Sequence, residues 1–349
     1  MSAPVKEQRA PLALTMGDAA GIGPEITIEA WKDRAADRLP AFVLYADLDL
    51  MRAAARSAGL DETCIVPITD VSVAASVFAD ALPVFPIPLA EPAQPGSPTS
   101  RNGPATINAI RSAVADVAAG RASAVVTNPI AKSVLYGAGF EFPGHTEYLG
   151  ALAAEFWPGE PANPVMLLAS SKLRVVPLTI HVALKDVPGL LSTDKIVKTA
   201  RIMAASLRRD FGIENPRIAV AGLNPHAGED GALGSEDGEI IRPAIQALKA
   251  EGVDVSGPHA ADTMFHEAAR KTYDAALAMY HDQGLIPIKT LAFDEGVNAT
   301  IGLPFVRTSP DHGTAFAIAG KGVASAASLK AALKLAGEMT ARRVHAAAS

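Results

Sequence analysis

The chain carries eight histidines, and three of them stand where they could do chemistry. His181 follows the apolar run LRVVPLTI, His226 lies in GLNPHAGE directly after RIAVAG, and His281 lies in MYHDQG directly after AALAMY. A neutral imidazole nitrogen is a good ligand for zinc and related divalent ions. Open parallel sheets bind ligands at the C-terminal ends of their strands. Three imidazoles delivered there would hold such an ion and leave a position for substrate. Their wide separation supplies no local metal motif, so satisfied core or loop histidines are the competing reading on spacing alone. Asp282, next to His281, is placed to orient a ring, bind the ion or contact a substrate amine. His145 sits in PGHTE, where Thr146 is expected to cap a helix whose first turn holds Glu147. A helix N-terminus also favours anions. His259, His266 and His345 have no comparable setting and read as surface residues.

A second feature is the turn TMGDAAGIGPE, residues 15–25, which follows a strand and opens a helix. Glycine permits positive φ and close backbone approach. Pro24 and Glu25 suit the first turn of the helix. The spacing is not GxGxxG, and that fingerprint occurs nowhere else, so a Rossmann cofactor site is not supported.

Short apolar runs that read as strands alternate with helical patterns. Strands are expected over residues 12–15, 41–45, 124–127, 165–169, 173–180, 217–221 and 275–279. Helices are expected over 24–32, 47–58, 105–119, 193–211 (with Thr193 as cap), 239–251 and 324–340. This alternation predicts an α/β fold with a largely parallel sheet covered by helices. The Pro/Gly/Ser-rich stretch 91–104 reads as a loop and 157–164 as a surface insertion. The Ala-rich end, 346–349, reads as frayed. At 349 residues, 49% of them hydrophobic, the chain suits roughly two domains with sizeable cores. A net charge of -6 with no basic run argues against nucleic acid as partner, while a local cationic pocket for a phosphorylated small molecule stays compatible. Cys64, the single cysteine, allows no internal disulfide and fits a reducing compartment. The N-terminus shows no apolar leader core, and no apolar stretch is long enough to span a membrane, so a cytoplasmic protein without a membrane partner is expected.

At these residues the chain resembles the 4-hydroxythreonine-4-phosphate dehydrogenase family. The resemblance covers about residues 11 to 340 and rests on seven motifs in the family's order: GDAAGIGPEI, VVTNPIAK, PGHTEYL, GLNPHAGE, GPHAADTMF, YHDQGLIPIK and GVNATIGLPFVRTSPDHGTAFAIAGKG. The first and last also resemble the isocitrate and isopropylmalate dehydrogenase superfamily. The resemblance implies two α/β/α domains with a cleft between them, isopropylmalate dehydrogenase-like, with a non-Rossmann cofactor site. It implies one domain of residues 1–140 and 306–349, carrying the termini and cofactor loop. The other, 141–305, would carry the metal and substrate site and the dimer interface. It makes His181, His226 and His281 the metal ligands, drawn from both subunits of a homodimer. It makes His145, Thr146, Lys289, Asn298 and Arg307 substrate contacts, and His312, Gly313, Thr314, Gly320 and Gly322 the cofactor loop.

The implied reaction is oxidation of 4-phosphooxy-L-threonine to 2-amino-3-oxo-4-phosphooxybutanoate, which decarboxylates to 3-amino-2-oxopropyl phosphate on the route to pyridoxal 5'-phosphate. The implied cofactor is NAD, with NADP as the alternative. Zinc is the first choice of metal, with cobalt or magnesium as alternatives. The general base stays open among Asp262, Asp282, Lys289 and a water on the metal. Ala19 and Asp230 depart from the family's usual proline and glycine, and the 157–164 stretch is longer than in some relatives; none of these touches a transferred ligand position. Competing readings are a paralogous dehydrogenase of D-threonate or D-erythronate 4-phosphate, a cis-diol dicarboxylate dehydrogenase, a metal-dependent hydrolase, and a binding protein that has lost catalysis.

Overall fold

The computed structural model describes residues 9–348. Most of the N-terminal stretch read above as having no apolar leader core lies in residues 1–8, outside the described residues. The chain divides into two compact units. One is built from the chain up to Ala162 with Leu303–Thr340, and the other from Asn163–Gly302 with the chain from Ala341 on.

The first unit contains β1 (Leu12–Thr15), β2 (Phe42–Ala46), β3 (Ile65–Pro67), β4 (Leu82–Pro86), β5 (Val125–Thr127) and, after the chain returns, β12 (Arg307–Pro310). Their order is β3-β4-β2-β1-β5-β12, and every neighbouring pair is parallel. β1, β2 and β5 are buried along their whole length. Continuous apolar runs of this kind are what a parallel strand covered on both faces requires. Helix Leu48–Ser57 starts where Asp47 accepts the N–H of Leu50 at 2.9 Å. Helix Gly103–Ala118 begins two residues before the expected start, because Pro104 suits its first turn. Trp157 is not part of a bare surface insertion: its ring stacks on Phe305 with centroids 5.0 Å apart.

The second unit contains β6 (Val165–Ala169), β7 (Arg174–Pro177), β8 (Ile218–Ala221), β9 (Val255–His259), β10 (Ala275–Ala278) and β11 (Val297–Ile301), in the order β11-β6-β7-β10-β8-β9. The run β7-β10-β8-β9 is parallel, whereas β11-β6-β7 is antiparallel. The antiparallel β6-β7 pair follows from chain length, since the few residues between them cannot make a crossover. Ser170 closes that turn by accepting the N–H groups of Lys172 and Leu173.

Five strands were not expected: β3, β4, β9, β11 and β12. Four of them contain proline, which reads as punctuation in a sequence. Helices Lys132–Gly137 and His281–Ala292 were also not expected, whereas helix His145–Phe156 stands where Thr146 and Glu147 pointed to one. Ser192, not Thr193, caps helix Thr193–Arg209, accepting the N–H of Lys195 at 3.2 Å. The C-terminal helix runs from Ala327 to Ala348, into the stretch read as frayed, whose last residue lies outside the described residues.

Candidate functional site

The three singled-out histidines emerge from three adjacent parallel strands of the second unit. His181 follows β7, His281 follows β10 and His226 follows β8. His281 is the first residue of helix His281–Ala292 rather than part of an irregular turn. Two buried side chains join these strand ends. Thr179 Oγ1 donates to the carbonyl of Met279 at 2.8 Å. Gln283 accepts the N–H of Met279 through Oε1 at 2.6 Å and donates from Nε2 to the carbonyl of Gly222 at 2.7 Å. One amide thus ties the start of the His281 helix to the start of the His226 loop. A Cβ on Gly284 would stand 2.9 Å from Val175 Cγ2, so only glycine lets this helix pack so closely on β7.

His181 and His281 come together, with ring centroids 5.8 Å apart. They line a pocket of about 350 Å³ together with Thr179, Val182, Leu184 and Asp282. Asp282 Oδ1 lies 2.7 Å from His281 Nδ1, a contact in which Nδ1 donates and Nε2 is turned to the other side of the ring. His226 does not line this pocket. Among the described residues, no group of three or more His, Cys, Asp or Glu is arranged to hold a metal ion. A single chain therefore brings two of the three histidines together. Two imidazoles, one oriented by a carboxylate, are donors of the type a borderline divalent ion takes.

The backbone at these histidines is unusual. His181 has φ 48°. From His226 to Asp230 five consecutive residues have φ between 43° and 79°, and only Gly228 among them is glycine. Each left-handed non-glycine residue costs about 1–2 kcal/mol, so such a turn persists only where its surroundings hold it. Asp237 pins the residues that lead into it. It is 1% exposed; Oδ1 accepts the N–H of Leu223 at 2.9 Å, and Oδ2 accepts the Asn224 N–H at 3.1 Å and Asn224 Nδ2 at 3.0 Å. Strain maintained in this way, beside a candidate ligand, is a functional signature.

The residues of the implied cofactor loop all belong to the first unit, and they meet the glycine turn. Ile22 donates its N–H to the carbonyl of Thr314 at 3.0 Å. A Cβ on Gly21 would stand 3.0 Å from that oxygen. Glu25 Oε2 accepts the N–H of Gly320 at 3.1 Å, and burial holds its carboxyl above the usual range. Gly320 and Gly322 have φ 73° and 68°. His312 Nδ1 lies 3.0 Å from the Gly313 carbonyl. Among the described residues, His312 Nε2 and Glu25 Oε1 are shielded from water without a hydrogen-bond partner. Two shielded, unsatisfied polar atoms beside a glycine-rich loop fit a polar ligand such as a nucleotide. The 91–104 stretch packs here too, with the Gly96 N–H donating to the Ala20 carbonyl at 2.8 Å.

His145, Thr146 and Arg307 also belong to the first unit. Arg307 opens β12 and is 3% exposed. Its Nη2 donates to Thr127 Oγ1 at 2.6 Å and lies 3.4 Å from His145 Nδ1. Burial pushes the guanidinium pKa down to about 10. His145 is held neutral, well below the ordinary histidine range, by burial first and then by the charges of Arg307 and Lys132. Its Nε2 is shielded without a partner. The expected cap at Thr146 is displaced: Gly144 is the N-cap, it has no side chain to accept a first-turn N–H, and His145 is the first helical residue. A buried cation beside an uncapped helix N-terminus is a receptor for an anion.

Lys289 and Asn298 belong to the second unit, on helix His281–Ala292 and on β11. Asp262 is exposed in the segment after β9. His259 is half-buried rather than a surface residue, and its Nε2 lies 2.8 Å from Ser256 Oγ. Sequence reasoning passed over Thr179, Gln283, Asp237 and Lys132. Gln283 and Lys132 lie inside motifs quoted above, but partners distant in the chain give Thr179, Gln283 and Asp237 their roles.

Known proteins match this chain along almost its whole length. The family model described as pyridoxal phosphate biosynthetic protein PdxA matches residues 38–336. A protein of Bradyrhizobium diazoefficiens named 4-hydroxythreonine-4-phosphate dehydrogenase is 57% identical over 341 residues, covering 95% of this chain and 98% of the relative. One of the same name from Xanthobacter autotrophicus is 53% identical, covering 97% of this chain and 98% of the relative. The crystal structure of 4-hydroxythreonine-4-phosphate dehydrogenase from Klebsiella pneumoniae superimposes with a TM-score of 0.84 at 37% identity, over 96% of this chain and 99% of that one. The chain belongs to the family of the pyridoxal phosphate biosynthetic protein PdxA.

Proposed function

We propose that this chain is a 4-hydroxythreonine-4-phosphate dehydrogenase. It oxidises the secondary alcohol of 4-phosphooxy-L-threonine to a ketone, and the resulting β-keto acid loses carbon dioxide to give 3-amino-2-oxopropyl phosphate. The observation that carries this reading is the buried Arg307–His145 anion receptor, in a chain 57% identical over nearly its full length to a protein bearing that name.

In this reading Arg307, His145, Thr146, Lys289 and Asn298 bind and orient the substrate. His145 stays neutral and offers hydrogen bonds without adding charge. His312, Gly313, Thr314, Gly320 and Gly322 cradle the cofactor, with Glu25 holding the glycine end of that loop in place. The dinucleotide these residues would hold, NAD before NADP, would supply the hydride acceptor for the carbinol carbon. His181, His226 and His281 are the residues that would hold a divalent ion, zinc before cobalt or magnesium. Such an ion, when bound, lowers the pKa of the alcohol and stabilises negative charge developing during decarboxylation. Asp262, Asp282 and Lys289 are the candidates for the group that accepts the alcohol proton.

A homodimer completes the site in this reading. Val182, Leu184, Ile286 and Phe293 are 42%, 66%, 63% and 76% exposed, and the first two line the histidine pocket. Apolar side chains left facing solvent around an incomplete ligand set suit cover by a second copy. The protein is read as a cytoplasmic enzyme; no helix among the described residues is long and apolar enough to cross a membrane.

A kinetic screen tests the assignment. Purified protein with added zinc is given 4-phosphooxy-L-threonine, D-threonate 4-phosphate or D-erythronate 4-phosphate, with NAD or NADP. Reduced nicotinamide is expected with 4-phosphooxy-L-threonine and NAD, and loss of turnover on chelation. Turnover confined to another hydroxy-acid phosphate, or product without reduced nicotinamide, overturns the reading. Activity that survives both chelation and His226→Ala removes the metal from it, and an active monomer by light scattering removes the shared site.

A further inference from the structure

Lys132 closes the motif VVTNPIAK, and so far its charge has served only to help keep His145 neutral. It is the first residue of helix Lys132–Gly137, shortly after β5, whose last residue Thr127 accepts the hydrogen bond from Arg307. Its ammonium leans over Gly144. A Cβ on that glycine would stand 3.2 Å from Lys132 Cε and 3.3 Å from Nζ. Glu147 Oε2 would be 3.3 Å from the same point, yet no ion pair joins Lys132 to a carboxylate among the described residues. The absent side chain at position 144 is what leaves room for the ammonium at the N-terminus of helix His145–Phe156.

Electrostatics makes this placement informative. A cation at the start of a helix stands at the end where helices favour acids. Lys132 stands against the start of helix His145–Phe156, with Arg307 buried close by and His145 Nε2 shielded without a partner among the described residues. Positive charges gathered in this way repel one another until an anion arrives. A phosphate monoester carries between one and two negative charges near neutral pH, so one guanidinium leaves it under-neutralised. A flexible lysine supplies a mobile point charge, whereas the arginine supplies fixed donors.

We propose that Lys132 is a further substrate-binding residue, the second cation on the substrate's phosphate beside Arg307, His145 and Thr146. The proposal rests on the phosphorylated-substrate reading above. Lys132 is exposed on a short helix, so Lys132→Met and Lys132→Arg should fold normally.

The test measures KM and kcat for 4-phosphooxy-L-threonine at saturating NAD, together with calorimetric binding of inorganic phosphate to wild type and variants. Lys132→Met is expected to weaken both substrate KM and phosphate binding by about tenfold or more while kcat moves less than about threefold. Lys132→Arg is expected to recover most of the loss, and the KM for NAD to stay unchanged. Unchanged KM and phosphate binding in Lys132→Met, or a loss confined to kcat or to the KM for NAD, overturns the proposal. Should wild type not oxidise this substrate at all, the functional reading fails. The phosphate calorimetry then still decides whether Lys132 belongs to an anion site.

Discussion

Replacing Arg307 by methionine separates the contribution of that residue to function from its contribution to the fold. The side chain is 3% exposed, and burial lowers its pKa from 12.5 to about 10. That shift corresponds to about 3 kcal/mol spent keeping the charge in the free protein. Methionine has a similar length and no charge, so the penalty disappears. Against this stand the lost hydrogen bonds of the guanidinium, the one to Thr127 among them, worth about 1 kcal/mol each, and imperfect repacking of about the same size. Arg307→Met should therefore unfold in urea at a midpoint within about 1–2 kcal/mol of wild type. Catalysis should move the other way. A guanidinium that receives an anion contributes charge-assisted bonds of about 1.5–3 kcal/mol each, so kcat/KM should fall by about a hundredfold or more. Urea titration and initial-rate kinetics on the same preparation decide the matter. A variant destabilised by more than about 2 kcal/mol that keeps its kcat/KM would show the arginine to be structural, and the anion receptor would be refuted.

Other perturbations reach other parts of the structure. Asp237→Ala leaves the N–H groups of Leu223 and Asn224 without acceptors; a loss of about 2–4 kcal/mol in stability is expected, with faster amide exchange at both residues and weaker zinc binding in equilibrium dialysis. Protected amides and wild-type zinc affinity in that variant would mean the left-handed turn holds itself. His145 is neutral in the fold because its pKa lies below 6.5, so its contribution to stability is complete above pH 6.5 and is lost as pH falls below that value. His145→Gln should accordingly flatten the pH dependence of unfolding free energy on the acid side, and parallel curves for the two proteins would contradict the burial argument. Gly17→Ala places a Cβ 2.5 Å from the Pro129 carbonyl at φ 75°, and should lower stability by about 2 kcal/mol or more. An unchanged melting temperature would show that this turn has slack.

Much of the architecture was legible because burial is periodic. The apolar runs at β1, β2, β5, β6, β8 and β10 are continuous, as strands covered on both faces must be, and the helices with wide apolar faces announced themselves at helical spacing. Strands such as Leu82–Pro86 and Arg307–Pro310 were hidden, since their prolines and polar residues imitate loops. The helix at His281 was hidden for a related reason. Its opening HDQG and its internal Pro287 read as a turn, while the packing of Gly284 on β7 decides for a helix.

The candidate site divides along the same line. The residue types that can bind a divalent ion, an anion and a nucleotide were present in the sequence as His181, His226, His281, Arg307 and the glycines of the 312–322 loop, and motif order was enough to single them out. Side-chain chemistry is a local property, so it survives being read one residue at a time. The surroundings that make those groups work are not local. Gln283 bridging Met279 and Gly222, Asp237 pinning the residues that lead into a left-handed turn, and Arg307 losing its solvent beside a neutral His145 all arise from contacts between residues far apart in the chain. Desolvation, strain and convergence are properties of neighbours, and neighbours exist only after the strands have paired and the helices have packed over them.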